Sequence, residues 1–371
     1  MHKFIDSILK PWFLIALLST SMTAGLAEPI TQSTPTATTE NLPQTTSSDK
    51  IQVKLPGSTQ STFLTSQISP QVRVLYQDWL DTRRNRNIPV KIYLPSSSSK
   101  AKAPYPVIIF SHGLGGSKEA AIYLGDFLAQ HGYACFHLQH DGSDEKLWKK
   151  TGNEIFSESI NKLKGAANGQ NLLARTFDVQ FAIDQLFLLN KSGPEFKGKL
   201  NLKEIAVAGH SFGAGTALVI AGQTFPFPML NNRLKDNRVK AAIYLSPPSN
   251  LRNRTAQEVY GNIRIPGLLF TGTNDNSPIG ETPASERRNP YDGIQAPGQY
   301  LVIFYNGDHG VFNGRRRRTA QPTDEKFLSM IELTCLKFLD AYLRNDLSAK
   351  KWLNSGESAQ YFKGTADFEH K

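Results

Sequence analysis

Short, nearly continuous apolar runs recur along this chain and constrain its fold more than any other feature. Strands that are buried on both faces need such runs, whereas strands with one wet face alternate apolar and polar residues. The segments between the runs carry apolar residues at helical spacing. The pattern therefore predicts an α/β protein with a mostly parallel sheet covered by helices on both faces. The runs lie at residues 107–110, 133–138, 205–208, 241–245, 267–270 and 301–305.

Both ends of this region carry further elements. Residues 72–76 and 90–94, separated by a polar Arg/Asn turn, predict an N-terminal antiparallel hairpin. An amphipathic helix over about residues 325–343 would close the fold, and the residues after Asp346 carry no clear pattern. We expect one catalytic domain at residues 70–371 with a sheet of about eight strands.

The N-terminal residues predict export. Residues 1–27 combine a basic start, an apolar run and a small-residue ending at Ala27, which is typical of a cleaved signal peptide. A retained membrane anchor is the alternative. Residues 28–69 are dominated by Thr, Ser, Pro and Gln and predict a flexible linker. We therefore expect a secreted or periplasmic protein.

The basic residues are clustered in loops. The net charge is +10, yet the basic residues do not follow one helix face as in a nucleic-acid reader. Solvated loop charge is the simpler interpretation, and nucleic acid is not an expected partner. A weak contact with an anionic surface is the alternative, and we expect a monomer. One such cluster is Arg315, Arg316, Arg317 and Arg318.

The two cysteines, Cys135 and Cys335, fall within apolar patterns of a predicted strand and a predicted helix. Buried cysteine behaves as a small apolar residue. We therefore expect neither a disulfide nor a metal site.

The string Gly209-His210-Ser211-Phe212-Gly213 joins a predicted strand to a predicted helix. Alone it is weak evidence, because such a string arises by chance in roughly one chain in ten of this length. At a strand-to-helix junction, however, the serine sits in a sharp turn that exposes its hydroxyl. Ser211 is therefore the candidate nucleophile.

A serine hydroxyl needs a base, and the base needs a carboxylate to orient it. His309 follows the last predicted strand, whereas His370, the only other histidine after Ser211, lies in the polar tail. Asp275 follows the preceding strand and is the preferred acid, with Asp308 and Asp292 as alternatives.

The loop Ser111-His112-Gly113-Leu114-Gly115-Gly116 follows an earlier strand and predicts half of an oxyanion hole. The main-chain N–H of Leu114 is the preferred donor, with Gly113 as its rival, and the N–H of Phe212 is the other donor. A merely flexible turn is the alternative.

Several other polar residues are interpreted as structural. We expect His112, His140 and His210 to brace loops or line the pocket, and Asp178 to form an ion pair. The stretches at about residues 141–169 and 276–299 follow predicted strands, so they are candidate pocket walls.

Together, the segments 110–115 and 209–213 resemble the platelet-activating-factor acetylhydrolase group and the related dienelactone-hydrolase-like proteins of the α/β-hydrolase superfamily. The segments 86–95 and 175–179 also fit, so the resemblance covers about residues 72–343. Ala214 departs from the glycine that relatives often carry. True dienelactone hydrolases have a cysteine nucleophile, so their substrate is not expected here.

The resemblance implies a triad of Ser211, Asp275 and His309 with no metal or organic cofactor. It also implies hydrolysis of short or modified acyl esters, including sn-2 acyl groups of phospholipids, through an acyl-enzyme on Ser211. A cutinase-like polyester or lipid hydrolase is the first alternative. A non-catalytic binding protein on the same scaffold is the second alternative. Such proteins usually lack a triad residue, whereas all three candidate residues are present here.

Overall fold

The computed structural model describes residues 68–148, 156–249, 251–280, 282–314 and 322–371. Outside these ranges lie the predicted signal at residues 1–27, nearly all of the predicted linker at residues 28–69, the cluster Arg315 to Arg318 and part of the predicted wall at residues 141–169. None of the helices in the described ranges combines the length and the apolar character that a membrane span requires.

The strands match the apolar runs and extend several of them. They are β1 (Val72–Asp81), β2 (Arg86–Pro95), β3 (Tyr105–Ser111), β4 (Ala134–Leu138), β5 (Leu200–His210), β6 (Val239–Leu245), β7 (Gly267–Asn274), β8 (Gln299–Asp308) and β9 (Ala366–His370). Within the described residues they form one nine-stranded sheet in the order β1-β2-β4-β3-β5-β6-β7-β8-β9.

Pairing in this sheet is parallel from β4 through β8, and antiparallel for β1 with β2, β2 with β4 and β8 with β9. Ser111 at the end of β3 lies beside Gly209 near the end of β5. Likewise, Asn274 at the end of β7 lies beside Asp308 at the end of β8. The loops that follow these four strands therefore emerge at one edge of the sheet, where open α/β sheets bind ligands.

Helices cover both faces of the sheet. They are α1 (Ile122–Gln130), α2 (Phe156–Ala166), α3 (Gly169–Ser192), α4 (Phe212–Ala221), α5 (Pro228–Leu234), α6 (Ala256–Tyr260), α7 (Asn289–Gly293), α8 (Pro322–Leu343), α9 (Leu347–Leu353) and α10 (Gly356–Phe362). Short 3₁₀ turns occur at Glu145–Trp148, Ala284–Glu286 and Val311–Asn313.

Alternate residues of each central strand enter different cores. In β3, Ile108 and Phe110 pack in the core that holds α1 and α8, whereas Val107 and Ile109 pack in the core that holds α3 and α4. Both sets are almost fully buried. A strand between two cores needs apolar residues at every position, which is why the sequence shows runs rather than alternation. Cys135 is buried in β4, and its sulfur is a free thiol.

The C-terminal tail corrects the expected strand count from eight to nine. Strand β9 adds antiparallel to β8, and the ring of Phe368 stacks on Phe362 of α10 at 5.2 Å between centroids. The tail gave no prediction because a five-residue edge strand with polar residues on its exposed side has too few apolar positions to show a period. His370 lies in this strand, paired with Tyr300, and is exposed.

Candidate active site

Ser211 occupies a strained turn between β5 and α4. Its φ is 54° and its ψ is −120°, a backbone conformation that costs a residue other than glycine about 1–3 kcal/mol. The flanking glycines make the turn sterically feasible. A Cβ at Gly213 would collide with the carbonyl of Ser111, and one at Gly209 with the carbonyl of Gly213. Strand β3 and helix α4 are therefore in backbone contact, and the serine hydroxyl lies at the sheet edge.

His309 lies beside this hydroxyl. Its ring comes from the turn after β8, and its Nε2 is 2.9 Å from Ser211 Oγ. Its Nδ1 is 2.8 Å from Oδ1 of Asp275, which follows β7. With the proton on Nδ1, the ring donates to the carboxylate and Nε2 is free to accept the serine proton. The structure thus brings together three residues that lie 34 and 98 positions apart in the pairs His309–Asp275 and His309–Ser211.

Asp275 is fully buried and held by several donors. Thr271 Oγ1 donates to Oδ2 at 2.9 Å, and Ser246 Oγ donates to Oδ1 at 2.8 Å. Arg287 Nε lies 2.9 Å from Oδ1 and donates to the main-chain carbonyl of the same aspartate at 2.6 Å. These hydrogen bonds and the ion pair with Arg287 hold the carboxylate in one orientation towards His309.

Arg287 and Ser246 were missed by sequence reasoning. Arg287, which is buried, comes from the predicted wall at residues 276–299 and also donates to the carbonyls of Ser246 and Pro247. Ser246 directly follows β6 and has a φ of 52°. Its position after a strand that ends at the same edge was the available signal, whereas nothing in the sequence marked Arg287 among the neighbouring loop arginines.

The environment of His309 favours its neutral form. Burial lowers the pKa of the ring, and Arg287 lowers it further, while the Asp275 carboxylate acts in the opposite direction. Since Nδ1 carries the proton, the 3.1 Å approach of Arg287 Nη2 to Nδ1 brings a cation next to the ring rather than forming a hydrogen bond. At neutral pH the ring is therefore ready to accept a proton.

The alternative acids lie elsewhere. Asp308 Oδ1 accepts hydrogen bonds from the main-chain N–H groups of Gly310 and Val311, so it stabilises the turn that carries His309. Asp292 forms an ion pair with Arg288 on the surface. The hydrogen bond to His309 Nδ1 is instead made by Asp275.

The other histidines brace loops. His140 lies between Asp178 and Ser111, with its Nδ1 2.9 Å from the carboxylate and its Nε2 2.9 Å from the hydroxyl. His112 Nε2 accepts the main-chain N–H of His140. His210 Nε2 is 3.0 Å from the carbonyl of His309 and supports the turn of the candidate base.

Asp178 forms the expected ion pairs. Its Oδ1 lies 2.7 Å from Arg86 Nε and 2.9 Å from Arg84 Nη1. Burial opposes the charged form of this carboxyl, but the hydrogen bonds from His140 and Arg86 dominate and lower its pKa to about 2.

The predicted oxyanion loop lies against the nucleophile. A Cβ built on Gly113 would stand 3.4 Å from Ser211 Cβ and 2.9 Å from His210 Nδ1, so a larger residue would have to displace the His210 ring. The peptide group between Gly113 and Leu114, which carries the Leu114 N–H, is thus next to the serine. Phe212, the first residue of α4, directly follows the serine. Main-chain N–H groups in such positions can stabilise negative charge.

Trp148 and Leu163 form an apolar wall beside this loop. Trp148 Nε1 donates to the carbonyl of Gly115 at 2.8 Å, and a Cβ on Gly115 would lie 2.9 Å from a methyl group of Leu163. Trp148 remains 41% exposed, so part of its ring faces open space. Within the described residues, no group of three or more His, Cys, Asp or Glu side chains is arranged to hold a metal ion.

Comparisons with known proteins agree with this architecture. The family model described as platelet-activating factor acetylhydrolase, isoform II, matches residues 83–151. The platelet-activating factor acetylhydrolase of Cavia porcellus is 23% identical over 284 residues, which cover 69% of this chain and 62% of that relative. Proteins of the same name from Canis lupus familiaris and Bos taurus are 29% and 27% identical over 148 and 149 residues, 31% of each chain.

The strand order and the strained strand-to-helix turn define the class: the chain has the α/β-hydrolase fold, as the sequence predicted. Within that superfamily it is similar to the platelet-activating-factor-acetylhydrolase-like group, which confirms the predicted resemblance. The chain spans less than two thirds of the length of the Cavia porcellus relative.

Proposed function

We propose that this chain is a serine hydrolase of carboxylic esters, with Ser211 as nucleophile, His309 as general base and acid, and Asp275 as the residue that orients His309. The observation that carries the proposal is the continuous line from Ser211 Oγ to His309 Nε2 at 2.9 Å and from His309 Nδ1 to Asp275 Oδ1 at 2.8 Å. Such a line lowers the barrier to attack because the proton leaves as the new bond forms.

The proposed reaction has two steps, acylation of Ser211 and hydrolysis of the acyl-enzyme. Ser211 Oγ bonds to the acyl carbon while its proton passes to His309 Nε2, and the carbonyl oxygen becomes negatively charged opposite the N–H groups of Phe212 and Leu114. The imidazolium then protonates the leaving alcohol oxygen as the ester C–O bond breaks, which gives the acyl-enzyme. Water repeats the sequence in the second half and releases the acid. Asp275 stabilises the imidazolium in both halves of the reaction.

Short or modified acyl groups are the proposed substrate class. Trp148 and Leu163 stand directly beside the oxyanion loop, so an acyl chain that extends past this loop meets a wall. Three relatives carry the name platelet-activating factor acetylhydrolase, which supports testing sn-2 acyl groups of phospholipids first. A cutinase-like polyester hydrolase needs an open groove at this position, so the wall favours the smaller ester.

The test is hydrolysis of p-nitrophenyl acetate and butyrate by the purified chain, followed by a panel of longer acyl esters, a phospholipid with a short sn-2 chain and a solid polyester. We expect turnover of the short esters and loss of turnover in Ser211→Ala. A Ser211→Ala protein that retains full activity would refute the proposal. Faster release of acid from the polyester than from the short esters would favour the alternative substrate class.

Export is proposed together with this function, on the basis of residues 1–27, and a monomeric state is proposed with it. Expression of the full chain in a bacterial host and N-terminal sequencing of the exported protein test the first point. A start near residue 28 supports it. Light scattering of the purified protein tests the second point.

A further inference from the structure

We propose that Arg175 is a positioning residue that fixes the two peptide groups flanking Gly113 and so aims the main-chain donors of the oxyanion site. The proposal rests on the proposed function, because it concerns how the same site stabilises the charged intermediate. Arg175 lies in α3, on a different element from every residue of the proton-transfer line, and its side chain is fully buried.

The guanidinium binds the carbonyls of the oxyanion loop. Nη1 donates to the carbonyl of His112 at 2.5 Å, and Nη2 lies 3.4 Å from the carbonyl of Gly113. In a trans peptide, a carbonyl and the N–H of the next residue point in opposite directions in one plane. Holding the His112 carbonyl therefore sets the direction of the Gly113 N–H, and holding the Gly113 carbonyl sets that of the Leu114 N–H. These are the two candidates for the second oxyanion donor.

The same side chain also contacts the segment that provides the other donor. Its Cζ lies 4.7 Å from the centroid of the Phe212 ring, within the range of a cation–π contact. Nε donates to Ser143 Oγ at 2.8 Å, which fixes the guanidinium from the loop after β4. Arg175 thus ties the loop after β3 to the first residue of α4, and the relative position of these two segments determines the size of the oxyanion site.

The partners of Arg175 are uncharged, which makes its charge effective at the loop. Its hydrogen bonds run to the hydroxyls of Ser111 and Ser143 and to main-chain carbonyls. The nearby Asp178 is instead bound by Arg86. A cation that donates to a carbonyl polarises the peptide group and strengthens the N–H on its other side. In a buried site this polarisation is weakly screened.

The Gly113 carbonyl has hydrogen-bond partners besides Arg175, so loss of Arg175 should affect the His112 carbonyl most. It accepts the N–H of Gly116 at 3.0 Å, and His112 Nδ1 lies 2.6 Å from it. The His112 carbonyl has its shortest contact with Arg175 itself. Removing the guanidinium therefore frees the peptide between His112 and Gly113 first, and widens the gap to Phe212.

The test compares Arg175→Met and Arg175→Lys with the wild-type chain on p-nitrophenyl butyrate. We expect kcat to fall by roughly 10²-fold in Arg175→Met and by roughly 10-fold in Arg175→Lys, with KM changed by less than about 2-fold, because the donors act mainly on the intermediate. The affinity for a trifluoromethyl ketone, whose serine adduct carries the same oxyanion, should fall by the same factor as kcat/KM. A merely structural role would not produce this proportionality.

Two further variants make the test independent of folding. Arg86→Lys changes a partly buried arginine that binds Asp178 rather than the oxyanion loop, and we expect its kcat to stay within about 2-fold of wild type. Ser143→Ala removes one hydrogen bond from Arg175 and leaves the side chain in place, and we expect a few-fold loss in kcat alone. If Arg175→Met does not fold, Arg175→Lys and Ser143→Ala decide the question.

Unchanged kcat in the Arg175 and Ser143 variants would overturn the proposal, as would losses that appear only in KM or that ketone binding does not follow. In those cases a wild-type chain that still requires Ser211 leaves the ester hydrolase intact. Conversely, a wild-type chain that neither hydrolyses the ester nor binds the ketone contradicts the hydrolase itself.

Discussion

The two sides of Ser211 are built from different parts of the chain. On one side, the proposed proton-transfer line is made of the side chains of His309 and Asp275. On the other side, the candidate oxyanion donors are main-chain N–H groups, held by glycines and by Arg175. A side-chain function is lost when its own residue is replaced. A main-chain function is lost only when the backbone moves, so the two sides should respond differently to mutation.

The largest expected effect is the loss of a side chain in the proton-transfer line. Ser211→Ala and His309→Ala should each lower kcat for p-nitrophenyl butyrate by about 10⁴-fold or more, because Ser211 forms the proposed covalent bond and His309 accepts its proton. Steady-state kinetics on protein checked by circular dichroism provides the measurement. A loss below about 10-fold for either variant contradicts the assignment.

Asp275→Asn should follow, with a loss of roughly 10³- to 10⁴-fold in kcat, since the amide no longer stabilises the imidazolium. Asp308→Asn is the matched control. Its amide oxygen can still accept from Gly310 and Val311, so its kcat should stay within a few-fold of wild type. Equal losses in both variants, or the reverse order, would move the acid to another residue.

Gly213→Ala tests the close backbone contact between β3 and α4 on the oxyanion side of Ser211. Its added Cβ would collide with the carbonyl of Ser111, so β3 and α4 must separate. We expect a loss of about 3 kcal/mol or more in the free energy of unfolding, measured by urea denaturation, together with a loss of activity in the folded fraction. Near wild-type stability would contradict the close approach. Gly165→Ala, where an added Cβ meets no atom within 4 Å, is the control.

The acid limb of the pH–rate profile reports how the charge of Arg287 affects the pKa of His309. His309 must be neutral to accept the serine proton, and its pKa is lowered by burial and by Arg287. Activity should therefore persist below the ordinary histidine pKa and fall as the ring becomes protonated. Arg287→Gln should raise the pKa of His309 and move this limb to higher pH, whereas Arg288→Gln, on the surface, should not. A limb that stays in place or moves to lower pH contradicts this role.

The smallest effect is expected at Leu114, whose peptide N–H is the preferred second oxyanion donor. Leu114→Ala should change kcat by less than about 3-fold, because the proposed group is the peptide N–H rather than the side chain. The same kinetic assay provides the measurement. A loss that approaches that of Asp275→Asn would mean that the leucine side chain itself takes part.

The sequence predicted those parts of the structure that depend on local pattern. Apolar runs identified the central strands, and the string around Ser211 identified the turn, because both reflect constraints within a few residues. The contact between His309 and Asp275 could be predicted because the loops after parallel strands emerge at one edge. Strand β9 was missed because an edge strand of five residues carries too little periodicity.

Arg175 and Arg287 could not be assigned in the same way, whereas Ser246 directly follows β6 at the same edge and could have been. Each contacts residues that are distant in sequence, such as Arg175 with His112, 63 positions away, and Arg287 with His309, 22 positions away. Loop arginines are usually solvated, and only packing shows which of them are buried. The supporting residues of the site are therefore a product of tertiary structure.

The most direct test of the central claim is covalent labelling with a fluorophosphonate, which reacts fastest with an activated serine. Peptide mass spectrometry should locate the adduct on Ser211 in the wild-type chain, and His309→Ala should react far more slowly. An adduct on another serine, or unchanged labelling in His309→Ala, would contradict the proposed line from Ser211 through His309 to Asp275.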